Sequence, residues 1–318
     1  MSISPLPRPL KGIVPPMVTP LLGRDELDHY GLSRLVEHLV SSGVAGLFIL
    51  GTTGEGPSLS YRLRYELIEK TCELVAGRVP VLVGITDTSL VEAVELAKFS
   101  RDAGASAVVA APPYYFPVEQ TPLLTFLSRL ADESPLPLFL YNMPSCVKAS
   151  LAFETVETLA RHANVVGLKD SSGDMAYFRR ALTLRESRPD WTILMGPEHL
   201  MAESVLLGSD GGVTGGANLH PRLFVDLYEA ASRRDQSTID RLQSEVVALA
   251  RIYIVGGSGM AAYLCGLKCA LELADVCSGH LAEPFTAFGL NERSEIEALL
   301  DKRSSSNSGL RLQSRRIG

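Results

Sequence analysis

The sequence lacks any apolar run long enough to cross a membrane. A transmembrane helix needs about 20 consecutive apolar residues, whereas the strongest run, residues 44–50, is only one third of that length. A longer uncharged stretch, 103–118, is interrupted by prolines. The N-terminal residues contain no apolar segment typical of a secretory signal. We therefore expect a soluble, cytoplasmic protein that does not span a membrane.

Cysteine and histidine are too few and too scattered to indicate a disulfide scaffold or a metal site. The five cysteines include no C-x-x-C spacing, so we expect buried thiols in a reducing compartment. None of the six histidines forms a His-x-His or His-x-x-x-His pair, and no metal is expected. Thirty basic and 36 acidic residues give a net charge of −6. This balance excludes the basic surface typical of proteins that bind nucleic acid.

The residues that are present favour a large α/β fold. The apolar fraction is 46% and the charged fraction 21%, which is ordinary for a globular chain with a large core. Apolar runs typical of strands alternate with amphipathic stretches typical of helices. The runs are continuous, which indicates a parallel sheet covered on both faces. The eight predicted strands are residues 13–18, 45–50, 79–85, 107–111, 136–140, 165–168, 192–195 and 212–214.

Eight strand–helix units match a closed (β/α)8 barrel, or TIM barrel. The rival is a doubly wound open sheet, but VTPLLGRDELD follows the first strand instead of a glycine-rich phosphate turn. We predict a barrel over residues 9–235, a C-terminal helical appendage over 236–302 and a mobile tail over 303–318. The predicted helices are 27–40, 61–75, 90–103, 122–131, 153–160, 175–185, 198–207, 221–232, 238–255, 259–273 and 293–301.

Lys169 is the residue that most strongly indicates catalysis, because it ends a buried strand at the edge where barrel active sites lie. If its side chain points inward, burial lowers its pKa from about 10.4 towards 7–8. A neutral amine of this kind attacks carbonyl carbons and forms Schiff bases. Gly167, on the same face, would leave space for a substrate. The alternative is a structural lysine paired with Asp170 or Asp174.

Schiff-base chemistry also requires a proton shuttle and a group that binds the anionic substrate. Tyr141 ends the neighbouring strand and is placed to move protons. The turn 51–56, G-T-T-G-E-G, offers hydroxyls and clustered backbone N–H groups suited to a carboxylate. Each feature also has a structural interpretation, namely a tyrosine at the barrel rim and a tight turn that requires glycine. The residues alone leave both alternatives open.

Five short motifs together resemble the dihydrodipicolinate synthase / N-acetylneuraminate lyase family of class I, pyruvate-dependent aldolases. They are G-T-T-G-E at 51–55, P-Y-Y at 113–115, Y-N-x-P at 141–144, G-L-K-D at 167–170 and A-N at 217–218. They follow the family's order and spacing, and the resemblance covers about residues 10–300. It implies a TIM barrel that assembles into a homotetramer, built as a dimer of dimers.

The resemblance also implies a role for each matching residue. Lys169 would form a covalent imine with pyruvate or another 2-oxo acid, so that no separate cofactor is needed, and Tyr141 would relay protons. Thr52 and Thr53 would hold the substrate carboxylate and extend the relay. Tyr115 would complete the relay of a neighbouring subunit. The residues expected to bind substrate are Thr52, Thr53, Gly196, Glu198, Val213 and Thr214.

Two departures from the family pattern bear on the substrate. Cys146 stands where dihydrodipicolinate synthases carry an arginine that holds the carboxylate of the semialdehyde. A thiol cannot supply such a bidentate contact, which puts that reaction in doubt. Sialic-acid lyases carry an Asp-Glu pair after the seventh strand, whereas this chain has Glu198 and His199 there.

The sequence therefore predicts a class I aldolase that cleaves a 2-oxo acid to pyruvate and an aldehyde, or condenses the two. The predicted substrate is a 2-keto-3-deoxy sugar acid or a 4-hydroxy-2-oxo acid. Three alternatives stay open: a sugar-acid dehydratase that uses the same lysine, a 4-hydroxy-tetrahydrodipicolinate (dihydrodipicolinate) synthase, and a non-catalytic barrel that binds an oxo acid.

Overall fold

The computed structural model describes residues 4–306, with side chains described to residue 302. Within this range the backbone forms ten strands: β1 Gly12–Ile13, β2 Leu21–Gly23, β3 Glu26–Leu27, β4 Leu47–Ile49, β5 Val81–Gly84, β6 Ala107–Ala110, β7 Leu138–Asn142, β8 Val165–Asp170, β9 Thr192–Met195 and β10 Gly211–Gly212. Eight of them form one parallel sheet in the order β1-β10-β9-β8-β7-β6-β5-β4. The other two, β2 and β3, pair as an antiparallel hairpin.

The two ends of the sheet are joined by backbone hydrogen bonds. The N–H of Met17 donates to the carbonyl of Phe48 at 2.8 Å, and the N–H of Phe48 donates to the carbonyl of Pro15 at 3.0 Å. The sheet therefore curls back on itself, as in a (β/α)8 barrel. Because Pro15 and Pro16 cannot donate hydrogen bonds, the ladder is interrupted and β1 ends at Ile13, earlier than predicted.

Twelve α-helices lie within the described range, and most of the first nine follow a barrel strand. They are α1 His29–Ser41, α2 Tyr61–Val75, α3 Leu90–Ala103, α4 Gln120–Glu133, α5 Pro144–Val147, α6 Phe153–Ala160, α7 Met175–Leu182, α8 Met201–Leu206, α9 Pro221–Ser232, α10 Gln236–Leu249, α11 Met260–Leu273 and α12 Leu290–Ser306. Four of them, α2, α3, α6 and α9, have the bounds predicted from the sequence.

Local capping explains why α2 and α3 were predicted accurately. The hydroxyl of Ser60 accepts a hydrogen bond from the N–H of Leu63, and Ser89 does the same for Glu92. Gly104 then ends α3 with φ 98°, in the left-handed region that favours glycine.

Several predicted boundaries are wrong. Residues 21–27 form the β2–β3 hairpin, so the first helix begins at His29, after Asp28 caps it. Three predicted helices end in or begin with a turn of 3₁₀-helix: Thr183–Glu186, Glu198–Leu200 and Ala250–Ile254. The last helix runs to Ser306 and includes the first residues of the predicted tail. Residues 307–318 of that tail lie outside the described range.

The core has two layers, one on each face of the sheet. Inside the barrel a small cluster includes Phe48, Phe139, Tyr141 and Val213. The larger cluster lies between the sheet and the surrounding helices, and its largest buried side chain is Trp191. Every residue of β4 to β10 is buried, as expected for strands covered on both faces. In the described range, no helix is both long and apolar enough to span a bilayer.

Candidate active site

Lys169 lies inside the barrel, on β8. It is the register partner of Tyr141 on β7, and only 5% of its surface is exposed. The Lys169 Nζ lies 3.9 Å from the centroid of the Tyr141 ring and 4.8 Å from that of Phe48. Burial lowers the pKa of Lys169 to about 7, only partly opposed by Cys146. A substantial fraction of the amine is therefore neutral at neutral pH.

The two aspartates near Lys169 are engaged elsewhere. Asp170 accepts a hydrogen bond from the Asn142 side chain at 2.9 Å and another from the hydroxyl of Ser172. Asp174 caps α7 through the backbone N–H groups of that helix. Neither forms an ion pair with Lys169 among the described side chains. The geometry therefore does not favour the alternative of a paired, structural lysine.

The expectation that Gly167 leaves space for a substrate is wrong. A Cβ atom at this position would lie 2.5 Å from the carbonyl oxygen of Thr192 and 2.6 Å from the ring of Phe139. The missing side chain thus accommodates a neighbouring strand and a core ring. The amine of Lys169 itself lies against the rings of Tyr141 and Phe48.

Tyr141 presents its hydroxyl to the glycine-rich turn that follows β4. The hydroxyl lies 3.3 Å from the Oγ1 atom of Thr52, and its ring packs edge-on against Phe48. Burial raises the pKa of Tyr141 to about 12, although hydrogen bonds with Thr52 and Ser171 oppose this rise. The phenol is therefore neutral at pH 7, and its conjugate base would be strong.

The second threonine of the turn has a partner that the sequence did not indicate. The hydroxyl of Thr53 lies 3.1 Å from that of Tyr263, which projects from α11. Of the two threonines, the structure therefore places Thr52 beside Tyr141 and Thr53 beside Tyr263. Burial raises the pKa of Tyr263, and the carboxylate of Glu198 raises it further.

A buried ion pair holds the same turn against the C-terminal helices. The Nζ of Lys268, on α11, lies 2.5 Å from the carboxylate of Glu55, and both side chains are fully buried. The carboxylate also accepts the N–H of Ala282 at 2.7 Å, and the lysine donates to the carbonyl of His280 at 2.6 Å. The segment after α11 is thereby fastened to the turn that carries Thr52.

The predicted substrate-binding residues after β9 and β10 form a second polar group. Glu198 accepts the N–H of Gly216 at 2.8 Å through Oε2. The Oγ1 of Thr214 is buried without a hydrogen-bond partner among the described residues. Burial raises the pKa of Glu198 to about 7, against hydrogen bonds from Gly216 and Tyr253. The Glu198 carboxyl therefore keeps its proton to a higher pH than an exposed glutamate does.

Gly196 and Val213 lie near these polar groups but contribute no polar side chain to them. A Cβ atom at Gly196 would collide with the hydroxyl of Ser171, so glycine permits the close approach of these two loops. The Gly196 N–H donates to the carbonyl of Asp170 at 2.7 Å. Val213 is buried in the cluster inside the barrel, together with Phe48 and Tyr141.

Tyr115 lies away from these groups. It is 70% exposed, and its ring packs against that of Phe116 at 5.0 Å between centroids. Its neighbour Tyr114, in contrast, lines the cavity described next. The structure of this chain thus does not bring Tyr115 to Tyr141 or Thr52.

A cavity of about 210 Å³ opens beside Thr52 and Tyr141. Cys146 lines it, and burial raises the pKa of that thiol. The helical residues after the barrel also contribute, since Met260 and Leu264 face the same space. The cavity is therefore built by barrel loops and C-terminal helices together.

Comparison with known proteins identifies the family to which this chain belongs. The model of the dihydrodipicolinate synthetase family matches residues 9–303. A solved dihydrodipicolinate synthase from Bacteroides thetaiotaomicron is 51% identical, with a TM-score of 0.89, over 92% of this chain and 99% of that one. The solved structure of YagE from Escherichia coli K12, in complex with pyruvate, is 29% identical, with a TM-score of 0.86, over 92% of this chain and 98% of that one.

A third relative carries a different name. YjhH of Escherichia coli K12, described as a probable 2-dehydro-3-deoxy-D-pentonate aldolase, is 35% identical over 76% of this chain and 81% of its own length. Synthases and sugar-acid aldolases thus both occur among the relatives. The predicted family and the predicted enzyme class are confirmed. The chain is a lyase that belongs to the dihydrodipicolinate synthetase family.

Proposed function

We propose that this lyase cleaves a 4-hydroxy-2-oxo acid, of the 2-keto-3-deoxy sugar acid type, to pyruvate and an aldehyde through a covalent imine on Lys169. One observation carries the proposal: a buried lysine whose pKa is lowered to about 7 lies against the ring of a buried tyrosine. The amine is neutral often enough to attack a carbonyl, and a proton-transfer group lies beside it.

The reaction steps follow from the relative positions of Lys169, Tyr141 and Thr52. Lys169 attacks C2 of the substrate, and Tyr141 gives its proton to the oxygen that leaves as water. The Tyr141 phenolate, held by the hydroxyl of Thr52, then takes the proton of the C4 hydroxyl. The C3–C4 bond breaks, the aldehyde departs, and the protonated imine receives the electron pair as an enamine. Return of the proton to C3 and hydrolysis release pyruvate.

The polar group after β9 and β10 favours a substrate whose aldehyde-forming part carries hydroxyl groups. Thr214 Oγ1 is buried and has no hydrogen-bond partner among the described residues, and such an atom needs one. A substrate hydroxyl can both donate to and accept from the Thr214 hydroxyl, whereas a second carboxylate would be repelled by the ionised fraction of Glu198. Cys146 likewise offers no charge for a carboxylate.

A dehydratase is the second candidate, and Glu198 is the observation that favours it. A carboxyl group with a pKa of about 7 can donate a proton to a departing hydroxyl, so that water leaves and the C3–C4 bond survives. Product analysis separates the two reactions: pyruvate with an aldehyde, or a dehydrated oxo acid.

We also propose how the chain is divided into regions and how its copies assemble. We assign residues 9–235 to the barrel and 236–302 to a helical region that covers part of its mouth. We propose a homotetramer in which Tyr115 serves a neighbouring subunit, which is supported by the exposed ring pair of Tyr115 and Phe116. Light scattering would measure the assembly. The cytoplasmic location stays a prediction.

Imine trapping tests the central claim. The protein is incubated with pyruvate and borohydride, and intact mass spectrometry with peptide mapping locates the adduct. We expect one reduced pyruvate on Lys169, none in Lys169→Ala, and an unchanged adduct in Lys148→Ala, which removes an exposed lysine. The absence of an adduct on folded wild-type protein would contradict the imine mechanism and favour a non-catalytic barrel.

A further inference from the structure

We infer that the Tyr263 hydroxyl binds the carboxylate of the 2-oxo acid, so that helix α11 completes the oxo-acid site within one subunit. This inference rests on the proposed function, since it assumes that an oxo acid occupies the space between Lys169 and the Thr52–Thr53 turn. It adds a binding residue from a part of the chain that lies beyond the barrel strands.

Tyr263 lies close to the turn that is expected to bind the substrate carboxylate. The Tyr263 hydroxyl lies 3.1 Å from the Oγ1 of Thr53, which together with Thr52 is expected to hold the carboxylate. An anion that reaches Thr53 is therefore within a few ångströms of the phenol. An ionised Tyr141 would raise the pKa of Tyr263, so the two phenols are also within electrostatic range of each other.

Local packing holds the phenol in this place. The ring of Tyr263 packs edge-on against Tyr253, with 4.9 Å between centroids. A Cβ atom at Gly215 would collide with the Tyr263 hydroxyl. Glycine at this point in the chain therefore permits the phenol to reach Thr53. Further along α11, the buried pair of Lys268 and Glu55 fastens the helix to the same turn.

The charge state suits an anion. Burial and the nearby Glu198 carboxylate both raise the pKa of Tyr263, so the phenol keeps its proton and acts as a donor. A carboxylate accepts a hydrogen bond from such a donor more strongly than a neutral group does. Because its pKa is raised, the phenol carries no negative charge of its own that would repel the carboxylate.

The test compares the concentration dependence of imine trapping in Tyr263→Phe and in wild-type protein. The substitution keeps the ring and removes only the hydroxyl. Loss of a hydrogen bond to a charged group should raise the half-saturating pyruvate concentration about 10-fold or more, while the trapping rate at saturation stays within about 3-fold. Trapping of acetone, a ketone without a carboxylate, should not change.

A matched control removes a comparable hydroxyl elsewhere. Tyr177, on α7, is a tyrosine whose buried hydroxyl has no hydrogen-bond partner among the described residues, so Tyr177→Phe should behave as wild type. Equal half-saturation by pyruvate in Tyr263→Phe and wild type would overturn the inference. So would an equal loss for acetone and pyruvate, which would indicate a structural role only. If wild-type protein forms no adduct at all, the proposed function fails instead.

Discussion

The amine of Lys169 lies 3.9 Å from the centre of the Tyr141 ring, and the two residues are directly paired across β7 and β8. One strand pair thus carries both the proposed nucleophile and the proposed proton-transfer group. Because their register is set by backbone hydrogen bonds inside the sheet, the distance between them does not depend on a flexible loop. The nearby ring of Phe48 helps to exclude water from the amine.

The pH dependence of imine formation should follow Lys169. Its pKa of about 7 means that the neutral amine increases as the pH rises through 7 and changes little above 8. We expect the rate of trapping at low pyruvate concentration to rise about 10-fold from pH 6 to pH 8. A rate that keeps rising beyond pH 9 would indicate an ordinary, solvated lysine.

Removal of the Tyr141 hydroxyl should separate imine formation from bond cleavage. Tyr141→Phe keeps the ring that contacts Lys169 and Phe48 but loses the contact with Thr52. Positioned acid–base groups contribute about 10²–10⁴-fold to rate, so we expect a loss of that size in kcat for aldol cleavage. The variant should still be trapped with pyruvate, although more slowly. Unchanged kcat would contradict the assigned role.

Substitution of Glu198 tests the proposed hydroxyl-binding group. Glu198→Gln preserves the size of the side chain and an oxygen for the Gly216 N–H. We expect normal pyruvate trapping but about 10-fold lower kcat/KM for hydroxylated 2-oxo acids. Because the pKa of Glu198 is about 7, any step that needs its proton should weaken as the pH rises above 7. The variant should lose that part of the pH profile.

Cys146 should control whether the cavity accepts a second carboxylate. Cys146→Arg places a guanidinium at the edge of the cavity that contains Tyr141, and a guanidinium binds carboxylates in a bidentate manner. We expect the kcat/KM ratio of aspartate semialdehyde to an uncharged aldehyde to rise about 10-fold. Cys146→Ser is the matched control and should leave the ratio unchanged. Efficient turnover of aspartate semialdehyde by wild-type protein would contradict our interpretation of Cys146.

Removal of one partner of the buried ion pair between Glu55 and Lys268 should reduce the free energy of unfolding strongly. Lys268→Met leaves an uncompensated carboxylate in a fully buried site, which typically reduces the free energy of unfolding by about 3–5 kcal/mol. The double variant Glu55→Gln/Lys268→Met should lose less than the single variant. On the surface, Lys98→Met breaks an exposed pair with Glu95 and should cost under about 1 kcal/mol. Urea unfolding measures all three.

Much of the barrel could be predicted because its signals are local. Four helices have their predicted bounds, and the serine caps of α2 and α3 lie within three residues of the N–H groups that they satisfy. The hairpin of β2 and β3 was missed, since its strands are too short for a periodic pattern. The first strand was predicted too long because prolines interrupt its ladder.

The sequence by itself determined the family, the alternation of strands and helices, and the candidates Lys169, Tyr141 and Thr52. Each lies at or just after the end of a continuous apolar strand. At such a position a short motif is enough to identify a residue type that can take part in catalysis. Only the tertiary structure decided what surrounds them. Tyr263 meets Thr53 across 210 residues of chain, and Lys268 meets Glu55 across a similar span. No local pattern encodes such contacts, because they arise from the way α11 packs against the mouth of the barrel.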